Sequence, residues 1–187
     1  TTTNASDLAT ILKATTGEVK ATVAADTAAK LNAALKDANS TDALTLSVNG
    51  TTATAKDLIS LDAKTSAPIV LNVGAITGNI TEITKVFVDD AANFTNEDKT
   101  AATISGEITA AQADAVADKT SGVVTATIKA DSAAVLNAAL NDGVQVNAYK
   151  LTVNGTTAAA TDLVALDGKT SVTVNAAAIK NISGNAA

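Results

Sequence analysis

Polar and apolar residues alternate in short runs that recur along the whole chain. In 19–23, 44–48, 124–128 and 151–154, Val, Leu, Ile or Ala residues on one side interleave with Thr, Ser, Lys or Asn on the other. Alternation with a period of two is typical of a β-strand with one buried face. The runs predict seven strands, which begin near Glu18, Ala43, Ile69, Ala101, Val123, Tyr149 and Ser171.

The segments between these runs carry apolar residues at helical spacing. The first such set is Ala28, Leu31 and Leu35, and five more follow: Leu58 and Leu61; Ile80, Ile83, Val86 and Phe87; Ala113 and Val116; Val135, Leu136 and Leu140; Leu163 and Leu166. Side chains that can cap a first helical turn precede or open most of them, at Asp26-Thr27, Thr54 to Asp57, Thr109, Asp131-Ser132 and Thr161-Asp162. A further short helix is predicted at Asp7 to Lys13.

The order of elements is therefore β-α, repeated about seven times with a period of about 25 residues. Helical crossovers of about a dozen residues connect parallel strands, so the fold class is α/β with a mainly parallel sheet. Strands buried on both faces of a doubly wound sheet would be continuous apolar runs, whereas these alternate. We therefore expect a solenoid-like array similar in period to leucine-rich repeats. A compact α/β fold and a pair of α+β domains are the alternatives.

Two Asn-Gly pairs, Asn49-Gly50 and Asn154-Gly155, leave the strand pairing open. Asn-Gly after an alternating strand is a strong signal for a β-hairpin, which would make the following strand antiparallel. In the preferred interpretation the pair turns the chain out of the strand towards a helix near Asp57 or Asp162. The residues between, such as 51–55, have no large side chain to bury.

The chain contains an internal duplication. Residues 17–66 match residues 122–171 at 30 of 50 positions without a gap. Asp7, Asp57, Gln112 and Asp162 mark equivalent helix starts at steps of 50, 55 and 50 residues. The sequence thus predicts a first half at 1–111 and a second half at 112–187, joined in one continuous solenoid domain.

Composition excludes several classes of function. The net charge is −6, so the surface is unsuited to nucleic acid, which needs clustered cations. No run is long and apolar enough to span a membrane. His and Cys are absent, which removes the usual general bases and nucleophiles and predicts that the protein is not an enzyme. No bound cofactor is expected, with calcium as the one exception.

The calcium hypothesis rests on an acidic loop that occurs only once in the duplicated chain. Asp89, Asp90 and Asp98 supply the carboxylate oxygens that Ca²⁺ prefers. An ordinary acidic surface loop is the alternative. The pairs Asp57 with Asp62 and Asp162 with Asp167 recur in both halves and are interpreted as helix caps and solvated helix faces.

Potential N-glycan acceptors are frequent. Asn49, Asn79, Asn93 and Asn154 each lie two residues before Ser or Thr without an intervening proline. We therefore treat these four as candidate glycosylation sites for a source organism that glycosylates.

The strings 104–128 (ISGEITAAQADAVADKTSGVVTATI) and 57–66 (DLISLDAKTS) resemble Ala/Thr/Asp-rich repeats of very large secreted or surface proteins of bacteria, notably cyanobacterial adhesins and S-layer-like proteins. The glycine-rich calcium nonapeptide of such proteins is not matched, so its ligands carry over to no residue here. The resemblance implies an extracellular or cell-surface building block. Its partners would be other copies or neighbouring repeats of a larger surface protein.

Two functions are consistent with these features. The first is a structural protein of a surface layer, sheath or filament that assembles through its ends, because the ends carry uncapped apolar residues such as Leu8, Ile11 and Ile182. The second is an adhesin that binds a glycan or protein on its exposed sheet face.

Overall fold

The computed structural model describes residues 2–141 and 146–184. In these residues the chain is a mixed α/β protein with seven α-helices, and it divides into two compact units, Thr1–Thr100 and Ala101–Ala187. The strand pairs described within each unit are parallel. The α/β class with mainly parallel strands, predicted from the alternating runs and crossover lengths, is thereby confirmed.

The first unit contains six strands and four α-helices among its described residues. They are β1 (Thr2–Thr3), α1 (Ala5–Ala14), β2 (Lys20–Val23), α2 (Ala28–Ala34), β3 (Ala43–Thr45), β4 (Ser47–Thr54), α3 (Ala55–Asp62), β5 (Ile69–Asn79), α4 (Ile80–Thr84) and β6 (Phe94–Thr95). A π-helical turn, Lys85–Asp89, extends α4, and 3-10 turns follow at Ala91–Asn93 and Glu97–Lys99.

Strand pairing in the first unit links segments that are about one β-α unit apart in sequence. Strand β2 lies between β1 and β3, and β5 pairs with β4 and β6. Lys20 lies opposite Ala43, and Ser47 opposite Val70, a separation of 23 residues in both cases. In these two pairs a strand therefore lies beside the strand of the next β-α segment.

The second unit repeats this arrangement. Its elements are β7 (Ala101–Ile108), α5 (Ala110–Ala117), β8 (Val124–Ile128), α6 (Ala133–Ala139), β9 (Ala148–Lys150), β10 (Thr157–Ala159), α7 (Ala160–Lys169) and β11 (Asn181–Ser183). Strand β8 lies between β7 and β9, and β10 pairs with β11. Thr125 lies opposite Ala148, again 23 residues apart. The predicted division at 111/112 stays a prediction, and both residues lie within α5.

Six of the seven predicted strands are confirmed, and the one at Ser171 is wrong. In that region only single bridges form, from Asn147 to Thr170 and from Thr152 to Asn175. Val172 stays 37% exposed and Val174 is only partly buried, so the described residues do not fully cover the apolar side of this alternating run. Alternation without a covering layer does not stabilise a strand.

Neither Asn-Gly pair forms a hairpin. Strand β4 continues through Gly50, whose φ of 147° suits glycine, and stays parallel to β5 as far as Thr54. The prediction that the chain leaves the strand at Asn49 is therefore also wrong. Gly155, with φ of 90°, precedes β10, which pairs in parallel with β11.

Buried aliphatic side chains on helices and strands form the core of each unit. Leu31, Leu58 and Leu61 on the helices and Leu44 and Leu46 in and beside the strands are at most 1% exposed. The second unit repeats this with Leu136, Leu140, Leu151 and Leu166 and places Tyr149 at the position of Leu44. Full burial of one such side chain stabilises a fold by about 1.5–3 kcal/mol.

Helix caps follow the sequence prediction at four helices. The Thr54 hydroxyl accepts from the Asp57 amide at 3.1 Å, and Thr109 with Gln112 forms a reciprocal capping box. Thr27 and Ser132 cap α2 and α6. The predicted cap at Thr161-Asp162 is wrong, because α7 begins earlier, after Ala159, which has no side-chain acceptor.

Threonine side chains organise the turns that follow alternate helices. The Thr65 hydroxyl accepts from the Ala67 amide and donates to the Leu44 carbonyl at 2.8 Å. Thr170 does the same with the Val172 amide and the Tyr149 carbonyl at 2.7 Å. Thr15 and Thr120 accept from the amide two residues on in the same way. These four threonines mark the same turn in successive pairs of β-α units.

Candidate functional site

The candidate site lies in the first unit, where the single acidic loop follows α4. Asp89 ends the π-helical turn, Asp90 follows it, and Asp98 lies in the 3-10 turn Glu97–Lys99. Asp90 forms an ion pair with Lys85, Oδ2 to Nζ at 2.6 Å, and this partner raises the pKa of Lys85. The carboxylate of Asp90 is therefore already paired with the ammonium group of Lys85.

A second carboxylate, Asp62 at the end of α3, is drawn into this loop. Its Oδ2 accepts a hydrogen bond from Asn93 Nδ2 at 3.1 Å. Burial raises the pKa of Asp62, and the charge of Asp90 acts in the same direction, against the Asn93 hydrogen bond and the charge of Lys85. The structure thus brings Asp62 close to the predicted group, although its place in the repeated helix predicted a solvated helix face.

A surface depression of about 290 Å³ lies beside this hydrogen bond, and we refer to it as the Asp62 depression. It is lined by Ser40, Asp62, Ala63, Thr65, Ser66, Ala67, Pro68 and Asn93. Its polar groups are hydroxyls, one carboxylate and one amide, which can bind a polar ligand through hydrogen bonds. A smaller depression of about 210 Å³ in the second unit is lined by Ser132, Ala133, Ala134, Thr157, Ala158, Ala159, Asp162 and Ser183.

Glu97, another acidic residue of this loop, has one buried carboxylate oxygen. This oxygen, Oε2, has no hydrogen-bond partner among the described residues. Burial raises the pKa of Glu97, and the neighbouring charge of Asp98 adds to this effect, while a hydrogen bond to its own backbone opposes it. Burial of this carboxylate oxygen of Glu97 without a hydrogen bond is unfavourable in free energy.

The calcium hypothesis stays a prediction. In residues 2–141 and 146–184, no group of three or more acidic side chains is placed to hold a metal ion. Asp90 faces Lys85, and Asp98 lies in a separate turn from Asp89. A calcium ion would have to compete with Lys85 for the Asp90 carboxylate.

The four candidate glycosylation sites are all exposed. Asn49 lies within β4 and accepts from Asn72 Nδ2 at 3.1 Å, and Asn79 caps α4 by accepting from the Glu82 amide. Asn93 donates to Asp62, and Asn154 donates to the Ala130 carbonyl at 3.3 Å. Glycan attachment at Asn93 or Asn154 would replace a hydrogen of a nitrogen that already donates to the protein, so Asn49 and Asn79 are the better placed acceptors.

Two buried Asx residues with a structural role were not identified from the sequence. Asp42 is 1% exposed, and its carboxylate accepts from the Val19 amide at 2.8 Å and the Asn39 amide at 2.9 Å. Asn147, its counterpart in the duplication, is fully buried and accepts from the Val124 amide at 2.8 Å. The signal in the sequence was that both copies of the duplication have an Asx residue at this position. The role of the two side chains is structural.

Comparison with known proteins identifies no relative of this chain. No protein-family model, no curated protein and no solved structure matches it. None of the helices in the described part of the chain is long and apolar enough to cross a membrane.

Proposed function

We propose that this protein is a non-enzymatic structural building block of a bacterial cell surface, in a surface layer, sheath or filament, and that it is built as a short α/β solenoid. The observation that carries the proposal is the regular parallel pairing. Neighbouring strands come from consecutive β-α units, about 23 residues apart in both halves of the duplication. In repeat proteins of this kind each unit contacts mainly its neighbours, and the array can be extended by adding units.

Exposed strand edges support assembly of such units. Strand β11 is exposed at all three residues, and β1 is exposed or half-buried at both of its residues. Unpaired backbone groups of an edge strand can pair with a strand of another molecule. Two different edges that fit each other make a head-to-tail contact, which generates filaments when the rotation does not close a ring.

Sequence chemistry supports the non-enzymatic and extracellular parts of the proposal. The chain has no His and no Cys, and it resembles bacterial surface repeats in 57–66 and 104–128. Its two Phe residues and its one Tyr, namely Phe87, Phe94 and Tyr149, are all buried, so they contribute to the core and offer no exposed aromatic surface.

The test is the association state of the purified protein as its concentration is raised. Sedimentation velocity and electron microscopy should show a series of linear oligomers that lengthen with concentration. A protein that stays monomeric at the highest accessible concentration would contradict the structural role.

Binding to a glycan or protein is the second candidate function. The polar lining of the Asp62 depression favours it, because hydroxyl, amide and carboxylate groups can bind sugar hydroxyls. The burial of all three aromatic rings argues against a stacked sugar ring. A glycan array probed with the wild type and Asp62→Ala would decide: binding that the substitution removes supports the adhesin function.

A further inference from the structure

The duplication places the same dipeptide, Asn-Gly, in the same local sequence twice. Residues 48–52 and 153–157 are both VNGTT, with Asn49-Gly50 in the first copy and Asn154-Gly155 in the second. An asparagine before glycine can lose its side-chain amide without an enzyme, because the glycine nitrogen can attack the side-chain carbonyl carbon and has no Cβ beside it to hinder the approach. Since the residues next to the two pairs are identical, a difference in reactivity between them must come from the fold.

Both asparagines are held alike on their N-terminal side. The backbone amide of Asn49 donates to the Asp26 carbonyl at 3.0 Å, and that of Asn154 donates to the Asp131 carbonyl at 2.9 Å. The two aspartates are duplication partners, so the chain enters both Asn-Gly pairs in the same way. The difference between the copies begins at the glycine.

In the first copy the strand continues through the pair. Gly50 lies opposite Val73 in the parallel ladder of β4 and β5, which runs on to the end of β4. The Oδ1 atom of Asn49 accepts from Asn72 Nδ2 at 3.1 Å, which holds the side chain against β5. Because the ladder fixes the peptide between Asn49 and Gly50, attack on the Asn49 side chain requires this part of the strand to open.

In the second copy the pair lies outside the strands. Asn154, Gly155 and Thr156 are exposed, and β10 begins only at Thr157. Gly155 has a φ of 90°, and a Cβ atom placed on it would meet no atom of a non-neighbouring residue within 4 Å. Among the described residues the Gly155 amide donates no hydrogen bond. The peptide after Asn154 is thus free of the constraint that the ladder imposes in the first copy.

The side chain of Asn154 is also the less firmly held of the two. Its Nδ2 atom donates to the Ala130 carbonyl at 3.3 Å. Because Asn154 is exposed, water can replace this bond when the side chain turns towards the Gly155 nitrogen.

We propose that Asn154 is a site of spontaneous deamidation and that its duplication partner Asn49 is protected by its strand. The Gly155 nitrogen loses its proton to hydroxide and attacks Cγ of Asn154. The Cγ–Nδ2 bond breaks, and ammonia leaves with a proton taken from water, which gives a cyclic imide. A water molecule then opens the imide at either of its C–N bonds and gives aspartate or isoaspartate at position 154.

The modification changes the second unit alone. Either product replaces an exposed amide by a carboxylate. Isoaspartate also places the side-chain carbon within the main chain shortly before β10, whose pairing with β11 starts at Thr157 and Asn181. The reaction needs only water and is independent of the proposed structural function.

The test compares both pairs within one molecule. Wild-type protein is incubated at mildly alkaline pH, either folded or in guanidinium chloride, and is then digested with trypsin. Cleavage after lysine gives peptides 37–56 and 151–169, with one Asn-Gly pair in each. In the folded protein, mass spectrometry with fragmentation should show Asn154 exchanging NH2 for OH at least about tenfold faster than Asn49, because strand opening must precede reaction at Asn49. In guanidinium chloride both should react at the same rate.

Asn154→Gln is the matched control. Glutamine keeps the amide but would have to close a larger ring, so peptide 151–169 should stay unmodified while Asn49 behaves as in the wild type. Circular dichroism checks that this variant is folded. Enzymatic methylation specific for isoaspartate separates the imide route from direct hydrolysis of the amide, which gives aspartate alone.

Three outcomes would overturn the proposal. Equal rates at the two asparagines in the folded protein would contradict the protection of Asn49. Reaction of Asn154 in guanidinium chloride but not in the folded protein would show that the fold protects Asn154 as well. A product without isoaspartate would exclude attack by the Gly155 nitrogen.

Discussion

Asp42 offers the sharpest test of how the first unit is held together. Replacing it with alanine removes the acceptors of three hydrogen bonds, from the Val19 amide, the Asn39 amide and the Asn39 side chain. Replacing it with asparagine keeps one oxygen for Val19, the arrangement that Asn147 already has with the Val124 amide. The pair of variants therefore separates loss of the Val19 acceptor, which only alanine removes, from loss of the charge and of the Asn39 bonds, which both substitutions remove.

The expected cost follows from the number and kind of bonds lost. A hydrogen bond to a charged group contributes about 1.5–3 kcal/mol, and a donor left unsatisfied in a buried position costs about 1–3 kcal/mol. For Asp42→Ala we expect a loss of about 3 kcal/mol in the free energy of unfolding, which is mainly the value of the Val19 bond, because Asp42 is 1% exposed whereas Asn39 is exposed and its donors can bond to water. For Asp42→Asn we expect about 1 kcal/mol, since the Val19 bond survives.

Urea unfolding followed by circular dichroism measures both values. With slopes of about 1–3 kcal/mol per molar urea, Asp42→Ala should lower the midpoint by about 1–3 M and Asp42→Asn by less than half as much. Tyr149, buried in the second unit and the single tyrosine of a chain without tryptophan, gives a separate fluorescence signal for that unit. Equal destabilisation by the two variants would refute the reasoning, because it would show that the Val19 acceptor, which asparagine retains, adds no stability.

Three further predictions follow from the caps and the acidic loop. Thr54→Ala should destabilise the protein by about 1 kcal/mol through loss of the α3 cap. Ala159→Thr should stabilise it by up to about 1 kcal/mol by supplying the missing cap of α7. Thermal unfolding of both variants checks this, and no gain in Ala159→Thr would show that the start of α7 cannot be capped. The pKa of Asp62 is raised in the folded state, mainly by burial, so the folded protein holds this proton more tightly than the unfolded chain and loses stability as the pH rises from the usual aspartate pKa through the raised one. The free energy of unfolding of Asp62→Asn minus that of the wild type should therefore be larger at neutral pH than at acid pH. A difference between the two proteins that does not vary with pH would contradict the assignment. Millimolar calcium should raise the melting temperature of the wild type and not that of Asp90→Asn if the calcium hypothesis is correct, and an unchanged wild-type value would exclude it.

Local sequence signals were sufficient where one side chain and its neighbours decide the outcome. The caps at Thr27, Thr54, Thr109 and Ser132 depend on a hydroxyl and an amide three residues on, and all four are found as predicted. Helices α2 and α6 follow from the spacing of their leucines, because a 3.6-residue period needs only one covering face.

The errors arise where burial depends on another layer. The predicted strand at Ser171 has the right alternation, yet Val172 remains exposed and the run forms only single bridges. The opposite error occurs after Gly50, where β4 continues although its residues are small. Ala53 is 6% exposed there, and Ala55, the first residue of α3, is fully buried, so this part of the chain is buried without a large side chain of its own.

The candidate site was predictable only as a segment. The sequence singled out Asp89, Asp90 and Asp98 because their loop is absent from the second copy. Partners far apart in the chain decide what these carboxylates do: Asp62 is joined to the loop through Asn93, 31 residues away. No periodicity in the sequence reports such a contact, so the depression beside Asp62 was not foreseen.

The threonine turns bear on how the length of such a chain can vary. Each of these turns is fixed by a threonine hydroxyl that accepts from the amide two residues on, at Thr15, Thr65, Thr120 and Thr170. The buried Thr65 and Thr170 also donate to a carbonyl of the preceding strand, in β3 and β9 respectively. Because the same turn forms again after every second helix, a difference in chain length affects only the residues between two such turns. The middle interval is five residues longer than the two beside it, yet the same turn forms after it. The five additional residues are thus accommodated within one interval, and parallel strand pairing is found both before and after it.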